Sequence, residues 1–580
     1  MRENQYMIEK PVEERPPTEK SPGVPATMVA TRLILPPVLC TIAFVLCALF
    51  MVAPLSRIPD PVIQLQTPLG GLLARIGSWL PNDFGLDANA QASQVNSNYL
   101  EFLGLIALLF VIYGVCVLYI ARLPAESGVH RQTRYLLWTG AALAGLIFVF
   151  TPAMLSHDIL VYASYSRLLA NYHANPYFAP IAAFPHDPYF PLNYWGKTVA
   201  AYGPLWLAVC GFLGFLAGPQ PIDYVLAFRL FALAAHLFNI WLVTKTLREM
   251  GQSPRTITLG ALLYAWNPLV LLESGLGGHN DVFMMTFLLL GVFLTVRAQQ
   301  HGTLPSPRGY LPPLIAFTLA ALVKFTTLPV IALFIVFIAW KAWHASRSHS
   351  VEVTSVHHWK PALSAAVISG ITLGVIALVF YGPFWIGHSI YDIQLSFTTP
   401  PSALFAENSI LRAILVWGHD HRLPADTMGS ILIQIFSIRK IWDDINIAIL
   451  GIMCIVGAIW MWHAPSIRTF TLAALAALGA LLIVTPWFFD WYITWLIGLA
   501  AVSLPLSHSR VGRALLAFTL TFSASAFLTY LFKDGYPPFG IWTGLVCLTT
   551  IVPPLLAFLI AFITWHHTAS KTTFERRSRK

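Results

Sequence analysis

From Leu33 onward, apolar runs of about 20 residues alternate with short polar or basic breaks, which is the pattern of helices that each cross a bilayer. The runs fall at 33–53, 98–120, 135–155, 199–217, 225–244, 257–276, 282–296, 311–343, 361–385, 446–463, 470–489, 492–507, 514–532 and 542–565. The 311–343 run reads as a hairpin of two short halves. The pattern therefore predicts an all-α polytopic membrane protein of about thirteen to fifteen transmembrane helices. Residues 1–31 are polar and Pro-rich and are expected to form a disordered cytoplasmic tail. Residues 32–566 form the transmembrane domain on this reading, and 567–580 a basic cytoplasmic tail.

Loops rich in Arg and Lys mark the cytoplasmic side: 121–134, 297–308, 341–360, 464–469 and 508–513. The opposite side then receives 54–97, 156–198, 277–281, 386–445, 488–491 and 533–541. One conflict stands. Lys245, Arg248 and Arg255 ask to be cytoplasmic, yet two apolar runs separate them from the 156–198 loop. Either one of those runs is re-entrant or the rule fails here, and an irregularity is expected at Gly218-Pro219-Gln220-Pro221. The loops 54–97, 156–198 and 386–445 are too polar to cross and too apolar to be linkers. LGGLLARIGSWL in the first has the pattern of an interfacial helix, and the three loops together suggest a cap over the membrane part.

Composition agrees. The chain is 57% hydrophobic and 11% charged, against roughly 25% charged in soluble proteins, and its mean hydropathy is +0.67. The net charge of +9 lies largely in the short basic loops, so no nucleic-acid partner is expected. The six cysteines stand singly without CxxC spacing, which suggests neither a zinc site nor a disulfide framework.

Polar residues at the ends of apolar runs are the candidates for chemistry. His157-Asp158 opens a stretch containing Tyr162, Tyr165, Arg167, Asn175 and Tyr177. If 156–170 is helical, Asp158, Tyr162 and Tyr165 share one face. Asp158 is then a candidate general base among hydroxyl-binding groups; the plainer alternative is an N-terminal cap beside belt tyrosines. In ESGLGGHND, a Gly-Gly turn precedes His279, Asn280 and Asp281 at a helix start, and Glu273 lies within apolar sequence, where a carboxylate is a functional candidate. The alternative is a turn with an Asn or Asp cap. Lys324 sits near a hairpin turn, suited either to snorkelling or to a phosphate, with Arg229 and Arg412 as rivals. His-Asp pairs at 157–158, 186–187, 279–281 and 419–421 raise a divalent metal as a minor reading, without ligand spacing; no metal ligand and no cofactor is assigned. Tyr202-Gly203-Pro204 and the aromatic stretch around Asp490 offer surfaces on which sugar rings stack.

The order of SHD-ILVYASYSRLLANYHANPY, AYGPLW, WNPLVLLESGLGGHND, ALVKFTTLP and TPWFFDWYITW resembles the C-type (GT-C) membrane glycosyltransferases. Within them it is most similar to the bacterial polyprenol-phosphate-mannose-dependent α-1,6-mannosyltransferases. The resemblance covers roughly residues 130–500. It implies the GT-C fold, a plasma-membrane location with an extracytoplasmic active site, and Asp158 as the acidic residue of the catalytic loop. It also implies inverting transfer of a hexose, mannose first, from a polyprenyl-phosphate donor to a glycan or glycolipid acceptor among membrane lipids. His157, Tyr162, Arg167, Asn175, Tyr177, Tyr202, His279, Asn280, Asp281, Lys324 and Arg412 are then the candidate substrate binders. Where many members carry two adjacent acids, this chain has His157 beside Asp158. The other reading of the pattern is a transporter or lipid-linked-sugar flippase.

Overall fold

The computed structural model describes residues 26–57, 66–79, 91–348, 359–400, 406–421, 427–436, 438–504, 509–531 and 547–564. The tails expected at 1–31 and 567–580 lie outside this set, apart from residues 26–31, which are helical as the start of Ala26–Arg57 and so shorten the disordered tail expected there. The N-terminal part comprises α1 (Ala26–Arg57), α2 (Gly70–Gly77), α3 (Gln91–Arg122), α4 (Val129–Val149), α5 (Asp158–Ala170), α6 (Pro204–Leu216) and α7 (Pro221–Glu249). Then come α8 (Pro254–Ala265), α9 (Pro268–Gly275), α10 (Asn280–Gln300), α11 (Pro307–Val323), α12 (Leu328–Ser348), α13 (Trp359–Trp385) and α14 (Ile390–Thr398). The last part holds α15 (Ile410–His421), α16 (Met428–Phe436), α17 (Arg439–His463), α18 (Ile467–Val484), α19 (Thr494–Ser503) and α20 (Arg510–Ser525). It closes with α21 (Cys547–Thr564).

Among the described residues, ten helices are long and apolar enough to cross a membrane, or eleven if the bent pair α8–α9 is one span. The protein is thus all-helical and polytopic. Four further segments expected to cross are helices of another kind. The basic first turn of α4, with His130, Arg131 and Arg134, dilutes its apolar length. α6, α11 and α19 have 13, 17 and 10 residues. At 1.5 Å per residue α6 extends about 20 Å, short of the ~30 Å hydrocarbon core.

That shortness bears on the topological conflict around 245–255. The Arg255 amide donates to Ala125 O at 3.2 Å and its guanidinium to Leu123 O at 3.2 Å. Arg134 reaches back to Pro254 O at 3.4 Å and Thr258 Oγ1 at 3.0 Å. The 245–255 turn therefore lies beside the basic 121–134 loop, at one end of the bundle. α7 is long and apolar enough to cross and α6 is not, and the break between them falls at 217–220.

The bend in α8–α9 is 51° and follows from Trp266-Asn267-Pro268. Proline lacks the donor and clashes with the preceding turn, so it ends one helix and starts the next. The Asn267 side chain caps the new helix by accepting from Val270 N at 3.2 Å. α10 and α18 are the most buried long helices, with 67% of the most apolar stretch of each inside the protein. In α13 and α17 the share is 11%, which marks the periphery. No β-strand is formed among the described residues beyond one isolated bridge. There Glu407 N donates to Pro486 O at 2.9 Å and Phe488 N to Glu407 O at 3.0 Å, docking the 386–445 segment on the aromatic 485–489 stretch.

Candidate active site

Four helix ends meet opposite the basic loops: the start of α5, the α9–α10 turn, the α11–α12 turn and the segment before α19. Between them lies a cavity of about 290 Å³. Its lining includes Asp158, Tyr165, Tyr202, Lys324, Tyr492 and Trp495, with Arg439 and Asp443 from the start of α17.

Asp158 is the first residue of α5, with His157 at the cap position but without a side-chain cap bond. Its carboxylate accepts from the Tyr202 and Tyr162 hydroxyls rather than from a backbone N–H of the helix it opens, so it does not act as an N-terminal cap. Tyr202 OH donates to Asp158 Oδ2 at 3.0 Å, and Tyr162 OH makes a longer contact of 3.4 Å. Burial pushes both phenols well above their ordinary range, so both remain O–H donors. The carboxylate keeps 18% side-chain exposure, enough to meet a ligand in the cavity. Tyr202 reaches it because Gly203 approaches α11 closely. Gly203 N donates to Val323 O at 3.0 Å, and a Cβ there would stand 2.1 Å from Leu322 O.

Lys324 breaks the α11–α12 hairpin in an extended conformation. Its Nζ donates to Asp281 Oδ1 at 2.8 Å and lies 3.9 Å from the Tyr492 ring centroid. Trp495 Nε1 also donates to Asp281 Oδ1, at 2.7 Å. An ammonium held by one carboxylate and faced by aromatic rings retains donors for a second anion. His279 lies behind the cavity wall, stacked on Trp491 at 4.0 Å. Asn280 Oδ1 meets Tyr162 OH at 3.4 Å.

The other expected binders have different partners. Arg167 pairs with Asp187 at 2.7 Å and lies over the Tyr189 ring. Asn175 donates to Phe384 O at 2.6 Å, and Tyr177 OH to Tyr202 O at 2.8 Å, so both brace the loop that carries Tyr202. Arg412 sits in α15 and does not line the cavity. Arg229, a rival for the phosphate, is fully buried and donates only to backbone carbonyls: Leu276, Val149, Thr151 and Ala153. Among the described residues no group of three or more His, Cys, Asp and Glu could hold a metal ion. The side chains of His419, Asp420 and His421 lie outside the described set.

Sequence reasoning missed Arg439 and Asp443, an i,i+4 ion pair at 3.0 Å on the cavity wall. The signal was present, since both sit where the long polar segment turns into an apolar run. Trp487, Tyr492 and Trp495 were legible only as an aromatic surface.

A cavity rich in aromatic rings at converging helix ends, lined by the carboxylates of Asp158 and Asp443 and the cations Lys324 and Arg439, suits a polar ligand. Residues 68–342, which carry Asp158, Asp281 and Lys324, match the family model described as alpha-(1->6)-mannopyranosyltransferase, N-terminal domain. The resemblance read from the motifs thus stands. The chain is 24% identical over 362 residues to alpha-(1->6)-mannopyranosyltransferase A of Mycobacterium tuberculosis, covering 61% of this chain and 62% of that one. A second alpha-(1->6)-mannopyranosyltransferase of that organism is 27% identical over 167 residues, 28% of this chain and 27% of the relative. The chain thus spans less than two thirds of either relative. The apo oligosaccharyltransferase of Archaeoglobus fulgidus overlaps 75% of this chain and 57% of its own at 13% identity, with a TM-score of 0.31. That score is too low to support an inference.

Proposed function

We propose that the protein is an inverting membrane glycosyltransferase of the GT-C type. It moves a hexose, mannose foremost, from a polyprenyl-phosphate donor to a hydroxyl of a glycan or glycolipid. The observation that carries this reading is the pairing of Asp158 and Lys324 in one aromatic cavity at the helix ends. A lipid-linked donor has its anomeric carbon at headgroup level, so the reacting groups must sit where membrane helices stop. The basic loops at the far end of the bundle support an extracytoplasmic site.

In this mechanism Asp158 takes the proton of the acceptor hydroxyl as its oxygen attacks the anomeric carbon. The bond from that carbon to the phosphate oxygen breaks, and polyprenyl phosphate leaves with the electron pair. Attack opposite the leaving group inverts the anomeric centre. Lys324 stabilises the departing phosphate, and its tie to Asp281 keeps it aimed. Tyr202 orients Asp158. Trp487, Tyr492 and Trp495 supply ring faces for the sugars, and Arg439 with Asp443 supplies hydroxyl-binding groups on the opposite wall. The test is transfer by the purified full chain in lipid vesicles from polyprenyl-phosphate-mannose to a short mannoside. Movement of solute or lipid without sugar transfer would support a transporter instead.

A further inference from the structure

Behind Asp158 lies a pair of ionisable side chains that the proposed chemistry does not use. His279 is fully buried and precedes α10 without capping it. Its Nδ1 is 3.7 Å from Asp158 Oδ2, and its Nε2 is 3.1 Å from Glu273 Oε2. Neither ring nitrogen meets full hydrogen-bond geometry, so these contacts are ionic in reach. Stacking on Trp491 at 15° fixes the ring plane between the two carboxylates. Glu273 comes from α9, is 1% exposed, and accepts from Tyr530 OH at 2.7 Å through its other oxygen.

The turn is shaped around this pair. A Cβ on Gly277 would stand 2.4 Å from Glu273 Oε2 and 2.5 Å from His279 Cδ2. Gly278, with φ +59°, brings the imidazole back under the turn. Such burial of a carboxylate beside an imidazole is costly unless the two charges meet.

We infer that Glu273 and His279 are positioning residues acting through Asp158: Glu273 holds His279 as an imidazolium, and the imidazolium holds the Asp158 carboxylate towards the acceptor hydroxyl. The transfer step rests on the proposed function; the charge state of His279 does not. The groups facing the ring come from every neighbouring element: Asp158 and Tyr162 from α5, Glu273 from α9, and Asp281 from α10. Asp490 and Trp491 precede α19, Tyr530 follows α20, Lys324 is held by Asp281, and Arg229 ties down Leu276 in the same turn. Burial opposes a charge on the ring, but the Glu273, Asp158 and Asp281 carboxylates outweigh it and hold His279 above its ordinary range. When Asp158 takes the acceptor proton, the Asp158–His279–Glu273 cluster passes from one net negative charge to none, so Glu273 still balances the imidazolium after the step.

The test is imidazole nitrogen NMR of the ¹⁵N-histidine-labelled full chain in lipid nanodiscs, with His279→Gln to assign the signal. The pH profile of mannosyl transfer is recorded alongside. His279 is expected to be an imidazolium at neutral pH in wild type and a neutral ring in Glu273→Gln. The alkaline limb of kcat is then expected to move to lower pH by about 1 unit or more, with KM little changed. Glu273→Asp, which keeps the charge, should lie between, and serves if the Gln variant does not fold. A neutral His279 in wild type would overturn the inference. So would variants that scale the whole profile without moving its limb. Absence of transfer by wild type with an imidazolium present would instead count against the proposed function and leave the pairing standing.

Discussion

Arg229 and Lys324 lie at the same end of the bundle, and the groups around them differ in kind. Arg229 is enclosed and donates to carbonyls at the ends of α4 and α9. The Thr151 carbonyl also accepts from Ala153 N at 2.9 Å, whereas those at Val149 and Leu276 lie at helix ends, where carbonyls lack intrahelical partners. Its work is to fasten the loop leading to Asp158 to the turn leading to His279. Lys324 meets a carboxylate and ring faces and lines an open cavity. Both are cations in apolar sequence, Arg229 fully buried and Lys324 with its side chain 12% exposed, and so small a difference in burial does not by itself assign their roles. The acceptors do: carbonyls saturate a guanidinium, whereas one carboxylate leaves an ammonium with capacity for a ligand.

Substitutions at the two sites should separate in their readouts. Lys324→Met is expected to lower kcat by about 10²–10³-fold, as loss of one charge-stabilising donor does, with a fall in the thermal unfolding midpoint, smaller than that of the Arg229 variant, because the buried Asp281 keeps Trp495 as a donor. Arg229→Met orphans several carbonyls at roughly 1–3 kcal/mol each. It should lower the unfolding midpoint sharply in a thermal melt, while the surviving folded fraction keeps more activity than the Lys324 variant. The reverse pattern would break the comparison. Tyr202→Phe removes a hydrogen bond to a charged group, at about 1.5–3 kcal/mol, and steady-state kinetics should show a loss of about 10–100-fold in kcat. Arg412→Ala, at a half-buried position away from the cavity lining, should change kcat by no more than about 2-fold.

Much of this arrangement was legible in the sequence because polar residues inside apolar runs have few places to go. Asp158, the Gly277-Gly278 turn and Lys324 each stand at a predicted helix end on one predicted side, and the structure brings those ends together. Arg167, Asn175 and Tyr177 look locally just as suited to a ligand. Their partners Asp187, Phe384 O and Tyr202 O lie 20, 209 and 25 residues away, and no local pattern reveals such a pairing. The same holds for Glu273, His279 and Tyr530, whose meeting depends on a bend at Pro268 and on a contact 257 residues along the chain. α6 misled because thirteen apolar residues bounded by prolines read as a short span, whereas its length suits only a partial passage.

The most direct test of the central claim compares wild type with Asp158→Asn in lipid vesicles, using polyprenyl-phosphate-mannose, a short mannoside acceptor, and thermal melts to show that both are folded. Wild type should transfer mannose, and the Asn variant should be slower by about 10²–10⁴-fold, as expected for loss of a general base. Equal transfer by two equally stable proteins would contradict the assignment of Asp158 as the base.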